Sequence, residues 1–297
     1  MKKNGRDRAV TVILFIITCV IIAACIIVLN KDDSVPAQGG IDGGTYVPII
    51  MYHSLLKDES MHGKYVISPD AFEQDLAYLQ EHGYTAVLIS DLIAYVYDGA
   101  PLPDKPVVLT FDDGYYNNYL YAYPLLEKYD SKIVISIIGY YSQKYSDSGE
   151  VSPYYTHVTW DNIKEMTASG RVEILNHSYN MHSTSGRVGT EKLNGESMEQ
   201  YAQTLKQDLS TTQALLSEKA GVTPQAFTYP FGAVSKGEEE IVRSMGFKAT
   251  LSCENKMNVL VPGDPECLYG LNRFIRPDGI GSEEFCEEKV KLQEYFE

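Results

Sequence analysis

Eight short apolar, β-branched runs recur along the chain, at residues 47–52, 85–89, 107–111, 133–138, 172–175, 226–229, 249–251 and 271–275. Runs of this length and make-up fit buried strands. Helical patterns lie between most of them. Phe72, Leu76 and Leu79 repeat at helical spacing after Pro69-Asp70-Ala71. Ser197-Met198-Glu199-Gln200 has the form of a capping box, Gly221 is placed to end that helix, and Ser282 is placed to cap a last helix toward Phe296. Strand–helix alternation over roughly 250 residues predicts an α/β fold with a parallel sheet, and eight strand candidates point to a (β/α) barrel. An open doubly wound sheet is the alternative. Neither G-x-G-x-x-G nor G-x-x-x-x-G-K-[ST] is present to support a nucleotide-binding version.

The amino terminus is a different kind of sequence. Residues 9–29 form an apolar run broken only by Thr11, Thr18 and two Cys, long enough as a helix to cross a bilayer. Lys2, Lys3, Arg6 and Arg8 precede it, so the positive-inside rule leaves residues 1–30 as a basic cytoplasmic tip and single-pass anchor. A lipoprotein acylated at Cys25, after Ile22-Ala23-Ala24, and a cleaved secretion signal are the alternatives. All three export the rest of the chain, so the expected location is the cell membrane with the folded domain outside. Residues 31–45 are polar and Gly-rich and read as a flexible linker, which leaves 46–297 as one domain.

Charge narrows the partners. The chain has 40 acidic and 25 basic side chains, a net charge of −15 that argues against nucleic acid. Residues 1–31 hold five of the basic groups and one of the acidic, so the exported part carries a formal charge of −19. Such a surface suits a neutral glycan better than an anionic polymer. Cys253, Cys267 and Cys286 lack the spacing of a zinc site, and either one disulfide or none is compatible with them.

The polar residues that interrupt the strand pattern fall at strand ends. The run 107–111 leads into Asp112-Asp113-Gly114. Two adjacent carboxylates after an apolar strand cost desolvation energy unless each finds a partner. Consecutive residues of an extended chain point to opposite sides, so one can bind a metal while the other takes a proton. An ordinary Asp-Asp-Gly turn is the bland alternative. The run 172–175 leads into Asn176-His177-Ser178-Tyr179-Asn180-Met181-His182, where two of the chain's six His lie five residues apart. That spacing faces one way on neither a helix nor a strand, so the two converge only on irregular backbone. Two His after one strand and two Asp after another make a His₂-carboxylate site with open positions for water. The run 226–229 ends in Pro230-Phe231-Gly232, which shapes the same rim. Catalytic groups gathered on the carboxyl ends of parallel strands are what a barrel enzyme shows.

Thr110-Phe111-Asp112-Asp113-Gly114, His177-Ser178-x-x-x-His182 and Tyr229-Pro230-Phe231-Gly232 resemble, in this order, the first three motifs of the polysaccharide deacetylases (NodB-homology, carbohydrate esterase family 4). Pro48-Ile49-Ile50-Met51-Tyr52-His53 and the five-residue His spacing are similar to the branch acting on poly-β-1,6-N-acetylglucosamine. The resemblance covers roughly residues 46–277 and implies a distorted (β/α)₇ barrel, so one strand candidate is expected to be an edge piece. It further implies Asp113, His177 and His182 as metal ligands and Asp112 as general base. The implied ion is Zn²⁺, with Co²⁺ or Ni²⁺ as alternatives, and the backbone N–H near Tyr115 is expected to assist. A divalent ion lowers the pKa of a water it holds toward ~7 and polarises the amide carbonyl. The expected activity is removal of N-acetyl groups from an extracellular polysaccharide by a monomer.

The sequence also departs from the family. No His follows His182, although most members supply an acid from a late Leu-x-His, and Phe227-Thr228-Tyr229 lacks the family's Arg before the third Pro. His53 lies at a strand end and reads either as part of the site or as structural. Arg273 and Arg276 read either as ion pairs or as groups that orient Asp112 or bind sugar. Tyr115, Tyr229, Pro230, Phe231 and Gly232 are candidate sugar contacts. Two rival functions stand beside N-deacetylation. One is a glycan-binding member with little or no turnover; the other is an O-acetyl esterase, whose leaving alkoxide needs less acid assistance.

Overall fold

The computed structural model describes residues 43–296; the expected anchor and most of the linker lie outside the described residues. Among the described residues, no helix is long and apolar enough to cross a membrane. In chain order the strands are β1 (Thr45–Val47), β2 (Ile49–Tyr52), β3 (Ser54–Leu55), β4 (Val66–Ile67), β5 (Thr85–Ala86) and β6 (Pro106–Phe111). They continue with β7 (Ile133–Ile137), β8 (Val172–Asn176), β9 (Ala226–Thr228), β10 (Ala249–Leu251), β11 (Asn258–Leu260) and β12 (Phe274–Ile275). Each apolar run of the sequence therefore holds a strand.

The main sheet runs β10-β9-β8-β7-β6-β2-β12, and every pairing in it is parallel. It curls until its edges meet. Leu271 bridges Leu251 of β10, and three residues later β12 pairs with β2. Two residues of β5 pair with the start of β6, which makes 85–86 the edge piece. An antiparallel pair, β1 with β11, and the short parallel pair β3 with β4 lie outside this sheet.

The two-residue period of a strand sorts its side chains. Ile50, Leu109, Ile133, Ile135 and Ile174 belong to a core shared with Leu76, Leu79, Ile163 and Met166 of the helices Pro69–Glu81 and Trp160–Ala168. Their alternates Ile49, Val108, Val134, Leu175, Ala226 and Leu251 form a second core on the inner face of the curl. Each fully buried aliphatic side chain contributes about 1.5–3 kcal/mol. Along that inner face the residues change character toward the carboxyl ends. Val108, Val134 and Ala226 give way to Thr110, Ser136 and Thr228, with Ser136 and Thr228 hydroxyls 2.8 Å apart. Asp112 and His177 come next in the same period.

The helices start where their caps predict. Ser68 Oγ accepts from the Ala71 N–H ahead of the helix Pro69–Glu81, and Ser197 and Gln200 form a reciprocal box at Met198–Leu215. A π-turn Leu216–Ala220 extends that helix to Gly221, which adopts φ +70°. Ser282 is the first helical residue and Gly281 its cap, and the last helix breaks at Lys291, φ +63°, before Leu292–Phe296.

Candidate active site

The carboxyl ends of the strands open into a cavity of about 410 Å³, lined among others by His53, Asp112, Asp113, Tyr115, His177, His182, Phe231 and Arg273. Asp112 continues the β6 ladder, its N–H donating to the Tyr52 carbonyl at 3.0 Å. Asp113 then turns at φ +69° and Gly114 at φ +71°. A Cβ on Gly114 would stand 2.9 Å from Ile137 Cγ2, so glycine lets this turn press against β7. The turn sends the two carboxylates to different partners.

Asp112 is gripped by Arg273. The guanidinium donates from Nη1 to Oδ1 at 2.7 Å and from Nη2 to Oδ2 at 2.8 Å, a two-pronged pair with both side chains buried. Arg273 is itself fixed, because Nε donates to the Ser252 carbonyl at 2.6 Å and Nη1 reaches Thr110 Oγ1 at 3.3 Å. Burial pushes the Asp112 carboxyl up, but the charge and hydrogen bonds of Arg273 override it and hold the pKa below the ordinary value. The result is a carboxylate kept ionised and fixed in direction.

Asp113 faces the two histidines. Its Oδ1 lies 3.2 Å from His182 Nε2 and 3.6 Å from His177 Nε2, and the three groups place one donor atom each within 4.8 Å of one another. The backbone between the histidines is irregular, as their spacing requires, with Ser178 at φ +75°. His177 Nδ1 sits 2.7 Å from the Thr228 carbonyl. A carbonyl only accepts, so Nδ1 carries the proton and Nε2 presents a lone pair. Burial pushes the His177 pKa down to about 4, which keeps the ring neutral. Its Nε2 lone pair and a carboxylate oxygen therefore face each other, and Asp113 Oδ1 is buried without a well-directed donor. A cation between them removes the repulsion, so these residues fit a divalent metal held by two imidazoles and one carboxylate.

The remaining candidates divide. His53, on the inner face after β2, brings Nε2 to 4.0 Å from Asp112 Oδ2, and burial lowers its pKa. Phe231, at φ +60° and 44% exposed, sets its ring 4.4 Å from that of His182. Gly232 lines the cavity, and a Cβ there would lie 2.1 Å from Cys253 Sγ. Tyr229 and Pro230 are buried and do not line it; Tyr229 packs edge-on against Phe227 in a separate core. Arg276 is also outside, buried in a pair with Asp75. Among the described residues no disulfide forms, and Cys253 is an exposed thiol at the cavity. The sequence reading passed over Lys64, Tyr65, Cys253 and Asn255, which also line the cavity. For Cys253 the inner-face period after Ala249 and Leu251 was the available signal; the others come from loops.

A family model described as polysaccharide deacetylase matches residues 99–250. The chain belongs to the polysaccharide deacetylase family. It is 23% identical to the poly-β-1,6-N-acetyl-D-glucosamine N-deacetylase of Escherichia coli K12, over 99% of this chain and 46% of that protein. It is 25% identical to the protein of the same name from Staphylococcus aureus MRSA252, over 65% of this chain and 62% of the relative. The chain thus spans less than half the length of the E. coli relative. Among solved structures, IcaB from Ammonifex degensii superposes with a TM-score of 0.68 at 26% identity, covering 84% of this chain and 98% of that one. A de-N-acetylase from Aggregatibacter actinomycetemcomitans gives 0.65 at 25% identity, covering 80% and 96%.

Proposed function

We propose that the protein is a metal-dependent hydrolase that removes N-acetyl groups from N-acetylglucosamine residues of a β-1,6-linked polysaccharide. The observation that carries this reading is one cavity holding both an ion-binding triad and, beside it, a carboxylate locked by a guanidinium. Asp113, His177 and His182 would hold the ion, with Zn²⁺ the first choice for this donor set. When bound, it would supply Lewis-acid polarisation of the acetyl carbonyl and acidify water.

The chain's own groups do the rest. Asp112, ionised and aimed by Arg273, takes the proton of the attacking water. His53, whose Nε2 lies 4.0 Å from Asp112 Oδ2, takes over the proton that Asp112 removes from water and passes it to the departing sugar amine in place of the missing late His. The turn at Gly114 and Tyr115 is clamped by 156–158, since Tyr116 N–H donates to the Thr156 carbonyl and Val158 N–H to the Gly114 carbonyl. That clamp fixes the Tyr115 backbone where an oxyanion donor is useful. Phe231 offers a ring face to the sugar. The names of the E. coli and S. aureus relatives support the substrate class. In this reading residues 1–30 tether the enzyme to the membrane and the catalytic domain works outside the cell.

The test is acetate release from β-1,6-N-acetylglucosamine oligomers. Wild type is expected to release acetate, to stop on chelation and to recover with Zn²⁺. Absence of release by the metal-loaded enzyme, or equal release by Asp112→Asn, would overturn the reading. Release from O-acetylated oligomers alone would favour the esterase.

A further inference from the structure

The cavity has one wall that the chemistry above does not use. Between β3 and β4 the chain passes through residues 56–65, and this rim is tied down. Ser54 N–H donates to the Tyr65 carbonyl at 3.1 Å, Gly63 N–H to the Val66 carbonyl at 2.9 Å, and Asp278 N–H to the Gly63 carbonyl at 3.0 Å. His62 Nε2 lies 2.8 Å from the Leu56 carbonyl. Held this way, the rim presents Lys64 and Tyr65 to the cavity, both exposed. The Tyr65 ring packs against His53 with centroids 4.8 Å apart, and Lys64 Nζ stands 5.0 Å from the centre of the Tyr65 ring.

Two exposed aromatic rings thus flank the reaction centre, each packed on one of its histidines: Phe231 on His182 and Tyr65 on His53. An aromatic face beside the centre suits the apolar face of a sugar ring, so Tyr65 marks the place of a ring next to the one being deacetylated. The cavity also holds one cation without an acidic partner among the described residues. Of the cations lining the cavity, Arg273 is neutralised by Asp112, whereas no carboxylate pairs with Lys64 among the described residues. An ammonium with no carboxylate partner gains little from a neutral polymer. It matters once the polymer changes, because each turnover converts a neutral acetamide into an amine that carries a proton.

Resting on the deacetylase reading, we propose that Lys64, beside Tyr65, is a specificity-determining residue that rejects a glucosamine in the flanking subsite. The enzyme then acts on residues whose neighbour on that side is still acetylated, and its products are spaced along the chain. The sign follows from Coulomb repulsion between two exposed ammonium groups. Exposed charge pairs alter binding by about twofold to fivefold, an effect screened by salt.

The experiment compares two β-1,6-linked pentamers, one fully acetylated and one carrying a single defined glucosamine. Both are assayed at low ionic strength and at a pH where the sugar amine is charged, and products are sequenced by mass spectrometry. Wild type is expected to prefer the fully acetylated pentamer by about fivefold in kcat/KM and to avoid positions next to the glucosamine on one side. Lys64→Gln should bring the ratio to about one, Lys64→Glu should invert it, and added salt should compress all three ratios. A ratio identical in wild type and Lys64→Glu overturns the proposal while leaving the deacetylase reading intact. No acetate from either pentamer with metal-loaded wild type overturns both.

Discussion

Two buried arginine–aspartate pairs sit three residues apart on the same closing segment, and they do different work. Arg273 faces the cavity and grips Asp112; Arg276 faces the helical layer and grips Asp75 of the helix Pro69–Glu81. Arg276 Nε lies 3.0 Å from Asp75 Oδ2, the Tyr52 hydroxyl donates to the same oxygen at 3.0 Å, and the guanidinium lies over Phe285. The surroundings set the acid's character. At Asp75 burial prevails over the guanidinium and raises the carboxyl's pKa; at Asp112 the guanidinium prevails over burial and lowers it. An ion pair in a packed layer is a structural tie whose charge is costly. The same pair at a strand end keeps a carboxylate ionised and facing the cavity.

Substitutions can break that contrast. The largest effect is expected from Asp112→Asn, which keeps the side chain's size and one of the two acceptors for Arg273 but removes the base. Acetate release should fall by about 10²–10⁴-fold in kcat/KM while the protein remains folded. Asp75→Ala should do the reverse. It strands Arg276 in the interior and should lower unfolding free energy by about 3–5 kcal/mol in a urea titration, with kcat per folded molecule near wild type. If Asp75→Ala abolishes turnover in the folded fraction, the division of labour is wrong.

His157 sharpens the comparison, as a buried ionisable group that forms no ion pair among the described residues. Its ring stacks on Tyr141 at 4.4 Å, and burial pushes its pKa down to about 4. The unfolded chain takes up that proton near pH ~6.5 and the native state only near 4, so the unfolded state binds more protons between those values. Native stability should therefore fall on acidification through this window, by about 1–3 kcal/mol from this group. The slope of unfolding free energy against pH should be shallower in His157→Gln, and an unchanged slope would refute the assignment. The smallest effect is expected from Arg273→Lys, which keeps the charge but loses the fork. A drop of about tenfold in kcat/KM is anticipated, and a variant as fast as wild type would show that charge alone suffices.

Much of the site was legible because strands obey a period of two. Ile49-x-Met51-x-His53, Val108-x-Thr110-x-Asp112 and Leu175-x-His177 run from core to cavity on one face. The same rule, applied to 226–229, places Phe227 and Tyr229 on the outer face with Thr228 inward, which is why Tyr229 packs in a core and not at the rim. Asp75 was illegible for the opposite reason. It sits on the buried face of an amphipathic helix, where its partner comes from 201 residues away and no local pattern announces it. Lys64, Tyr65 and Asn255 reach the cavity from loops, whose course no periodicity encodes. The choice between roles for Arg273 and Arg276 needed the curl itself, which alone decides which end of the segment looks inward.

That curl is held shut along a short seam. Leu271 and Ser252 exchange backbone contacts across it, with Ser252 N–H donating to the Leu271 carbonyl at 2.8 Å and Leu271 N–H to the Thr250 carbonyl at 2.8 Å. Arg273 adds its own stitch through the Ser252 carbonyl while its other arm holds Asp112. One side chain both clasps the seam and holds Asp112, so a fluctuation that parts the seam also slackens that grip. Breathing of the hoop and loss of competence become one event, and the exchange rates of the Ser252 and Leu271 amides are its natural clock.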